Sequence, residues 1–293
     1  MTGAPSALCL SPSQFRMLRD LVQRESWIHL TDSKHTLLEN RLSRRLRTLG
    51  MPDFEDYLRL LESHEASDEI VHLLDAVSTN ETRFFRELRH FALLEDSLLA
   101  TWAAEADRGE RERVLRVWSA GCATGEEPAS LAMVILARFP PGSGWTVDVL
   151  ATDLSSRALE TARAGRYPLA RAKEIPPRHL TAFMLRGTGE QRQWMKVGPE
   201  VRGVVRFLRH NLARDPYPAG RFDLIFCRNV LIYLDGAAQL EVVRRFLGCL
   251  GASGLLFLGH AETLADVRGL ECSCVAPAVY TRKPRARRSG RGA

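Results

Sequence analysis

The chain has 293 residues, 45% hydrophobic and 26% charged, the balance of a globular protein with room for two domains. No apolar run approaches the roughly 20 residues that span a bilayer, so no membrane insertion is expected. The net charge of +6 is concentrated at the C-terminal end. Removing Arg282, Lys283, Arg285, Arg287, Arg288 and Arg291 from the 41 basic residues leaves 35, equal to the 35 acidic ones, so a near-neutral body with no specific nucleic-acid partner is expected. The opening MTGAPSALCL lacks the basic and apolar regions of a signal peptide, which points to a cytoplasmic location. Six cysteines without C-x-x-C spacing point to reduced thiols and no metal centre.

In chain order, residues 11–75 read as helices. Ser11 and Pro12 form a helix start, followed by Phe15, Leu18, Leu21 and Val22 at helical spacing. KHTLLENRLSRRLRTLG predicts a second helix, with Leu37, Leu38, Leu42, Leu46 and Leu49 inward and Gly50 as its stop. Arg41, Arg44 and Arg45 on that helix share one face, either solvated or offered to an acidic partner. DFEDYLRLLES and DEIVHLLDAVS complete a small all-helical domain. From residue 112 the pattern alternates: strands RVLRVWSA, WTVDVLATD, FDLIFC and GLLFLG, with helices after the first two and before the last, predict a doubly wound, mostly parallel α/β sheet. An irregular insertion follows at about 170–210, in which QWMKV and VVRFL could pair as an antiparallel unit. CVAPAVYTRK reads as a last strand. The Arg/Gly/Pro tail predicts a disordered end, with no strong specificity or as a tether for an acidic partner.

Three motifs carry chemistry. In VWSAGCATGEEP a buried strand ends in a turn permitted by Gly121 and Gly125, and a helix begins near Pro128. Glu126 and Glu127 suit the helix dipole there and would repel a pyrophosphate. The expected ligand is therefore phosphate-free and partly cationic, as S-adenosylmethionine is. In VLATDLSS, Asp153 ends the next strand where it can accept both ribose hydroxyls of an adenosine or cap the following helix. In FDLIFCRNVLIYL a third strand ends at Arg228 and Asn229, with Tyr233 close behind; the segment has no Pro-Pro, which counts against methylation of DNA bases.

NETRFFRE, VWSAGCATGEEPASLA, ATDLSSRALETARAGRYP and FDLIFCRNVLIYLD, in this order, resemble the chemotaxis-receptor protein-glutamate O-methyltransferase (CheR-type) family over about residues 11–281. The resemblance implies a Rossmann-like class I S-adenosylmethionine-dependent methyltransferase domain with a small all-helical N-terminal domain and an inserted small β-subdomain. It implies domains at 1–75 (helical, receptor docking), 76–100 (a connecting lid), 101–281 (methyltransferase, insertion at about 180–210) and 282–293 (basic tail). The implied reaction passes a methyl group from S-adenosylmethionine to glutamates of methyl-accepting receptors, leaving S-adenosylhomocysteine. By matched motif, Asn80, Thr82, Arg86, Glu127, Asp153, Asn211, Arg228 and Asn229 resemble cofactor contacts. Arg86 and Tyr233 resemble the residues nearest the transfer, and Arg41, Arg44 and Arg45 the docking face. The insertion resembles one that in some members holds a receptor C-terminal peptide. A monomer is expected.

The chemistry agrees with this casting. A glutamate carboxylate, with a pKa of about 4.3, is already ionised near neutrality and needs no general base; His260 is accordingly expected to be a loop or packing residue. A cofactor-binding regulator without activity, or a nucleic-acid methyltransferase recruited by the tail, are the competing readings.

Overall fold

The computed structural model describes residues 8–63, 66–264 and 269–283. The N-terminal helices are α1 (Pro12–Ser26), α2 (His35–Leu49), α3 (Phe54–Glu62) and α4 (Ser67–Val77). The start of α1 is a reciprocal capping box: Gln14 N donates to Ser11 Oγ at 3.3 Å and Ser11 N donates to Gln14 Oε1 at 3.0 Å. Gly50 closes α2 in the left-handed region, φ 69°. Phe15, Leu18, Val22, Leu42, Leu46, Phe54, Tyr57 and Leu73 form a core of their own. Two leucines expected in it are not: Leu37 and Leu49 are each 36% exposed, and Leu37 faces a cleft described below.

A strap, residues 78–87, leads from this bundle into α5 (Leu88–Leu93), a π-helical turn (Leu94–Leu98) and α6 (Leu99–Asp107). The strap is fixed by its aromatic pair. Phe84 and Phe85 are buried in the core of the second domain. Their amides donate to Glu174 Oε2 at 3.1 Å and to Ser130 Oγ at 3.0 Å. Phe84 meets Tyr167 edge-on and Phe85 stacks on His179. Burying two such rings stabilises the docked strap by several kcal/mol, roughly 1.5–3 kcal/mol each.

The second domain continues with β1 (Val114–Ala120), α7 (Glu126–Arg138), β2 (Thr146–Asp153) and α8 (Ser156–Ala164). The insertion holds β3 (Arg166–Pro168), α9 (Pro177–Phe183), β4 (Met184–Arg186), β5 (Trp194–Val197) and α10 (Pro199–Val204). Then come β6 (Val205–Arg209), β7 (Phe222–Cys227), α11 (Gly236–Cys249), β8 (Leu250–Leu258), β9 (Cys272–Ala276) and β10 (Val279–Arg282). The main sheet has the order β6-β2-β1-β7-β8-β10-β9. Strands β6 to β8 are parallel, and β10 and β9 close the edge antiparallel. The chain leaves β1 toward β2 on one side and reaches β7 on the other, so a crevice opens at the carboxyl ends of β1 and β7.

Two expectations are corrected. QWMKV and VVRFL do not pair with each other. The first (β5) lies between β3 and β4 in a three-stranded antiparallel sheet, while the second (β6) is the parallel edge strand beside β2. The intervening α10, with Pro199 at its start, prevents a tight hairpin between them. The small sheet therefore spans Arg166–Val197, earlier than 180–210. The last strand is a hairpin, β9 and β10, turned at Ala278 with φ 57°. Arg282 ends β10 and Lys283 N donates to Glu271 O at 2.9 Å, so these two basic residues belong to the fold. The rest of the expected basic tail lies outside the described residues.

Candidate active site

A cleft of about 1480 Å³, including its open mouth, lies at the crevice between β1 and β7 and is walled on one side by the helical bundle. Asn80, Thr82, Arg86, Glu127, Asp153, Asn211, Arg228, Asn229 and Tyr233 all line it. The bundle contributes His29, Leu30, Leu37 and Leu38. The strap crosses between, and the bundle is locked to the second domain: Ile28 bridges Leu234, and His29 N donates to Tyr233 O at 2.8 Å.

The floor is the turn after β1. Gly121 and Gly125 have φ 81° and 95°, and a Cβ on Gly121 would lie 2.3 Å from Val230 Cγ2. Glycine is required there by both conformation and space. The amides of Gly121, Cys122, Ala123 and Gly125 are satisfied internally. Gly121 N and Cys122 N donate to Thr152 O at 2.8 and 2.9 Å, Gly125 N to Cys122 O at 3.0 Å, and Ala123 N to Asp153 Oδ2 at 2.8 Å. A phosphate cradle needs such amides free, so these four cannot serve as one, and the Glu127 carboxylate beside them disfavours an anion.

The two glutamates at the start of α7 diverge, which corrects their reading as a pair. Consecutive helical residues point about 100° apart. Glu126 is fully buried away from the cleft, paired with Arg171 and accepting from Thr124 Oγ1 at 2.6 Å. Glu127 faces the cleft, accepting from Ser119 Oγ at 2.7 Å and Arg228 Nη1 at 3.2 Å. Burial pushes both carboxyls above the usual carboxylate range, against the pull of Thr124 and Arg171 on Glu126 and of Arg228 and Ser119 on Glu127. Asp153 is raised by burial too, opposed by the amides of Ser155 and Ala123.

Arg228 is a buried hub. It donates to Glu127 and to Arg86 O, and forms an ion pair with Glu87 at 3.2 Å. Burial alone would raise Glu87, but Arg228, the His260 amide and His90 together hold it below its ordinary value. Asn229 follows with φ 59°, and its Oδ1 is buried without a hydrogen-bond partner among the described residues. Asn80 donates to Ser155 Oγ at 3.2 Å, and Arg86 Nη1 donates to Glu81 O at 3.2 Å. Thr82 O accepts from Arg171 at 2.7 Å. The Asn211 side chain is already engaged, donating to Glu25 O at 2.7 Å and accepting from Ala213 N at 3.0 Å, so it ties the bundle to the cleft wall.

The three arginines of α2 are outside the cleft. Arg41 donates to Ala76 O and Ser78 O at 2.7 and 2.8 Å, holding the end of α4 and the root of the strap. Arg45 grips the buried Glu69, which also accepts from Tyr57 Oη at 2.8 Å. A buried carboxylate requires such a partner, and only Arg44 of the three is fully exposed. His260 lies outside the cleft, beside Glu87 and His90. Sequence reasoning missed Glu87, Arg171, Glu262 and the rim residue His29. The end of NETRFFRE was the available signal for Glu87; the others carry none in a single sequence.

The cleft is lined by the carboxylates of Glu127 and Asp153 and by Asn229, and four amides of its floor are already bonded. That donor set fits S-adenosylmethionine, with its ammonium, its ribose hydroxyls and its sulfonium. The sheet order and this site define a class I S-adenosylmethionine-dependent methyltransferase.

Comparison with known proteins narrows this. Residues 80–278 match the family model described as CheR methyltransferase, SAM binding domain, and residues 13–78 match CheR methyltransferase, all-alpha domain. The chain belongs to the CheR methyltransferase family. It is 41% identical over 262 residues to a chemotaxis protein methyltransferase of Escherichia coli (strain K12), covering 89% of this chain and 87% of that one. Chemotaxis protein methyltransferase 2 of Pseudomonas aeruginosa is 37% identical over 91% of this chain and 92% of its own length. The Borreliella burgdorferi chemotaxis protein methyltransferase is 33% identical over 92% and 94%.

Proposed function

We propose that the protein methylates glutamate side chains of methyl-accepting chemotaxis receptors, giving the glutamate γ-methyl ester and S-adenosylhomocysteine. The observation that carries the reading is the floor of the cleft: a glycine turn in which the amides of Gly121, Cys122, Ala123 and Gly125 are already bonded, beside the Glu127 carboxylate. Such a site favours a cationic, phosphate-free donor. The cofactor supplies a methyl group on a sulfonium, ready for in-line attack by an acceptor oxygen.

The residues of the chain then have separate tasks. Glu127 holds the cofactor ammonium and Asp153 the ribose hydroxyls. Asn229 Oδ1 accepts one further N–H or O–H, and Asn80 and Thr82 close the strap side. The acceptor arrives as a carboxylate and no base is needed. His210 is unsuited to be one: it packs edge-on against Trp118 and Tyr217, and burial, opposed by Asp215, lowers its pKa and so makes it a weaker proton acceptor. Arg86 orients the acceptor carboxylate, and Tyr233 donates a hydrogen bond. Attack of an anion on a sulfonium cancels both charges, so excluding water favours it; the strap and bundle wall supply that exclusion and the positioning.

The helical bundle is the docking module, with Arg44 among its exposed cations, and the small β-sheet is a second receptor contact. The protein acts as a soluble cytoplasmic monomer; no helix among the described residues is long and apolar enough to cross a membrane. Transfer of tritiated methyl onto a receptor-containing membrane fraction tests the reading. Base-labile label that disappears with Arg86→Ala supports it, and absence of label on every cognate receptor refutes it.

A further inference from the structure

Glu262 stands outside the cleft, yet its carboxylate governs the loop that carries Asn229 and Tyr233. It lies in the turn after β8, 6% exposed. Oε2 accepts from Gly259 N at 2.6 Å within its own turn and from Asn229 N at 2.8 Å across to the loop after β7. Oε1 accepts from Ile232 N at 3.2 Å, one residue before Tyr233. A single carboxylate thus gathers three backbone amides from two loops at the carboxyl edge of the sheet.

Two further facts show how closely the junction is built. A Cβ on Gly259 would lie 2.7 Å from Glu262 Oε2 and 2.9 Å from Asn229 N, so only glycine lets the turn approach. Asn229 holds a left-handed conformation, φ 59°, which asparagine tolerates better than most non-glycine residues and which the Glu262 contact to its amide helps to hold. The amide of Asn229 is the one Glu262 holds, and the same residue lines the cleft and carries a buried Oδ1 without a partner among the described residues. Leu231–Tyr233 forms a short 3₁₀ turn that contains the second amide.

We propose that Glu262 is a positioning residue for methyl transfer. Its charge sets the conformation of residues 229–233, and so fixes where Asn229 Oδ1 and the Tyr233 hydroxyl stand. It acts through them and touches neither cofactor nor acceptor. This rests on the function proposed above for the transfer step, but not for the cofactor step.

Glu262→Gln tests it, because the amide must turn an N–H₂ toward at least one of the three backbone N–H groups that the carboxylate accepts. With receptor as acceptor, kcat falls on the order of 10²-fold, while the receptor KM changes by less than about threefold. In a Tyr233→Phe background the further loss shrinks below about threefold, because the two residues act as one unit. Affinity for S-adenosylhomocysteine, read by calorimetry without any receptor, falls by roughly tenfold, and by less than about threefold in an Asn229→Ala background. Losses that stay undiminished in both backgrounds, or an unchanged kcat and affinity, overturn the proposal. If Glu262→Gln does not fold, Glu262→Asp carries the same cycles, with smaller losses because the shorter side chain reaches fewer amides. A wild-type protein that binds the product but labels no receptor refutes the function and leaves the calorimetric cycle to decide this assignment.

Discussion

Arg171→Ala removes the partner of the most deeply buried charge at the site. Glu126 has no exposed surface, and Arg171, itself 26% exposed, is its only ion-pair partner among the described residues. Breaking a buried pair from one side costs about 3–5 kcal/mol. Thr124 Oγ1 remains bonded to Glu126 and Arg171 is partly solvated, which places the cost near the lower end, about 3 kcal/mol. For a protein of this size that lowers Tm by roughly 5 °C. The pH dependence identifies the cause. Burial already raises the Glu126 pKa, and loss of Arg171 raises it further. A folded-state pKa above the unfolded one means the folded state binds the extra proton, so stability falls as pH rises through the folded value. Urea unfolding should therefore show a larger defect at about pH 8 than at about pH 5. Adding Glu126→Gln should recover most of the loss at the higher pH. A defect that is independent of pH and persists in the Glu126→Gln background would refute the reasoning. Arg171 also holds Thr82 O, so product binding weakens alongside.

Gly121→Ala meets Val230 in a left-handed position. It should cost about 1–2 kcal/mol from conformation alone and weaken S-adenosylhomocysteine binding by displacing the loop that carries Asn229. Adding Val230→Ala should restore the steric part only, as calorimetry and thermal melts would read. His90, His179 and His210 are held below the ordinary histidine range, first by burial. Their folded pKa values lie below the unfolded ones, so their contribution is complete above about pH 6.5 and is lost as pH falls from there. His210→Asn should flatten the stability profile between about pH 7 and pH 5, relative to wild type, in denaturant titrations.

Much of the site was legible because strand ends are. Once three apolar strands were recognised, Glu127, Asp153 and Arg228 with Asn229 had to fall on one sheet edge. The family resemblance placed Asn80, Thr82 and Arg86 above them. What stayed hidden depends on direction and on distant partners. Two adjacent glutamates read as one anionic feature, yet helical geometry turns Glu126 into the core and Glu127 into the cleft. The arginines of α2 look alike at helical spacing, yet Arg45 is claimed by Glu69, 24 residues away. VVRFL has the pattern of any short strand, and only the open edge of β2 decides its partner. Glu262 is one glutamate in a polar loop until β7 and β8 lie side by side.

The central claim is that the cleft selects a cationic, phosphate-free cofactor. Calorimetric titration of the purified protein with S-adenosylhomocysteine and separately with ATP tests it most directly. The account predicts one S-adenosylhomocysteine bound per chain, lost in Asp153→Ala and undisturbed by ATP. Saturable ATP binding with no heat from S-adenosylhomocysteine would contradict it.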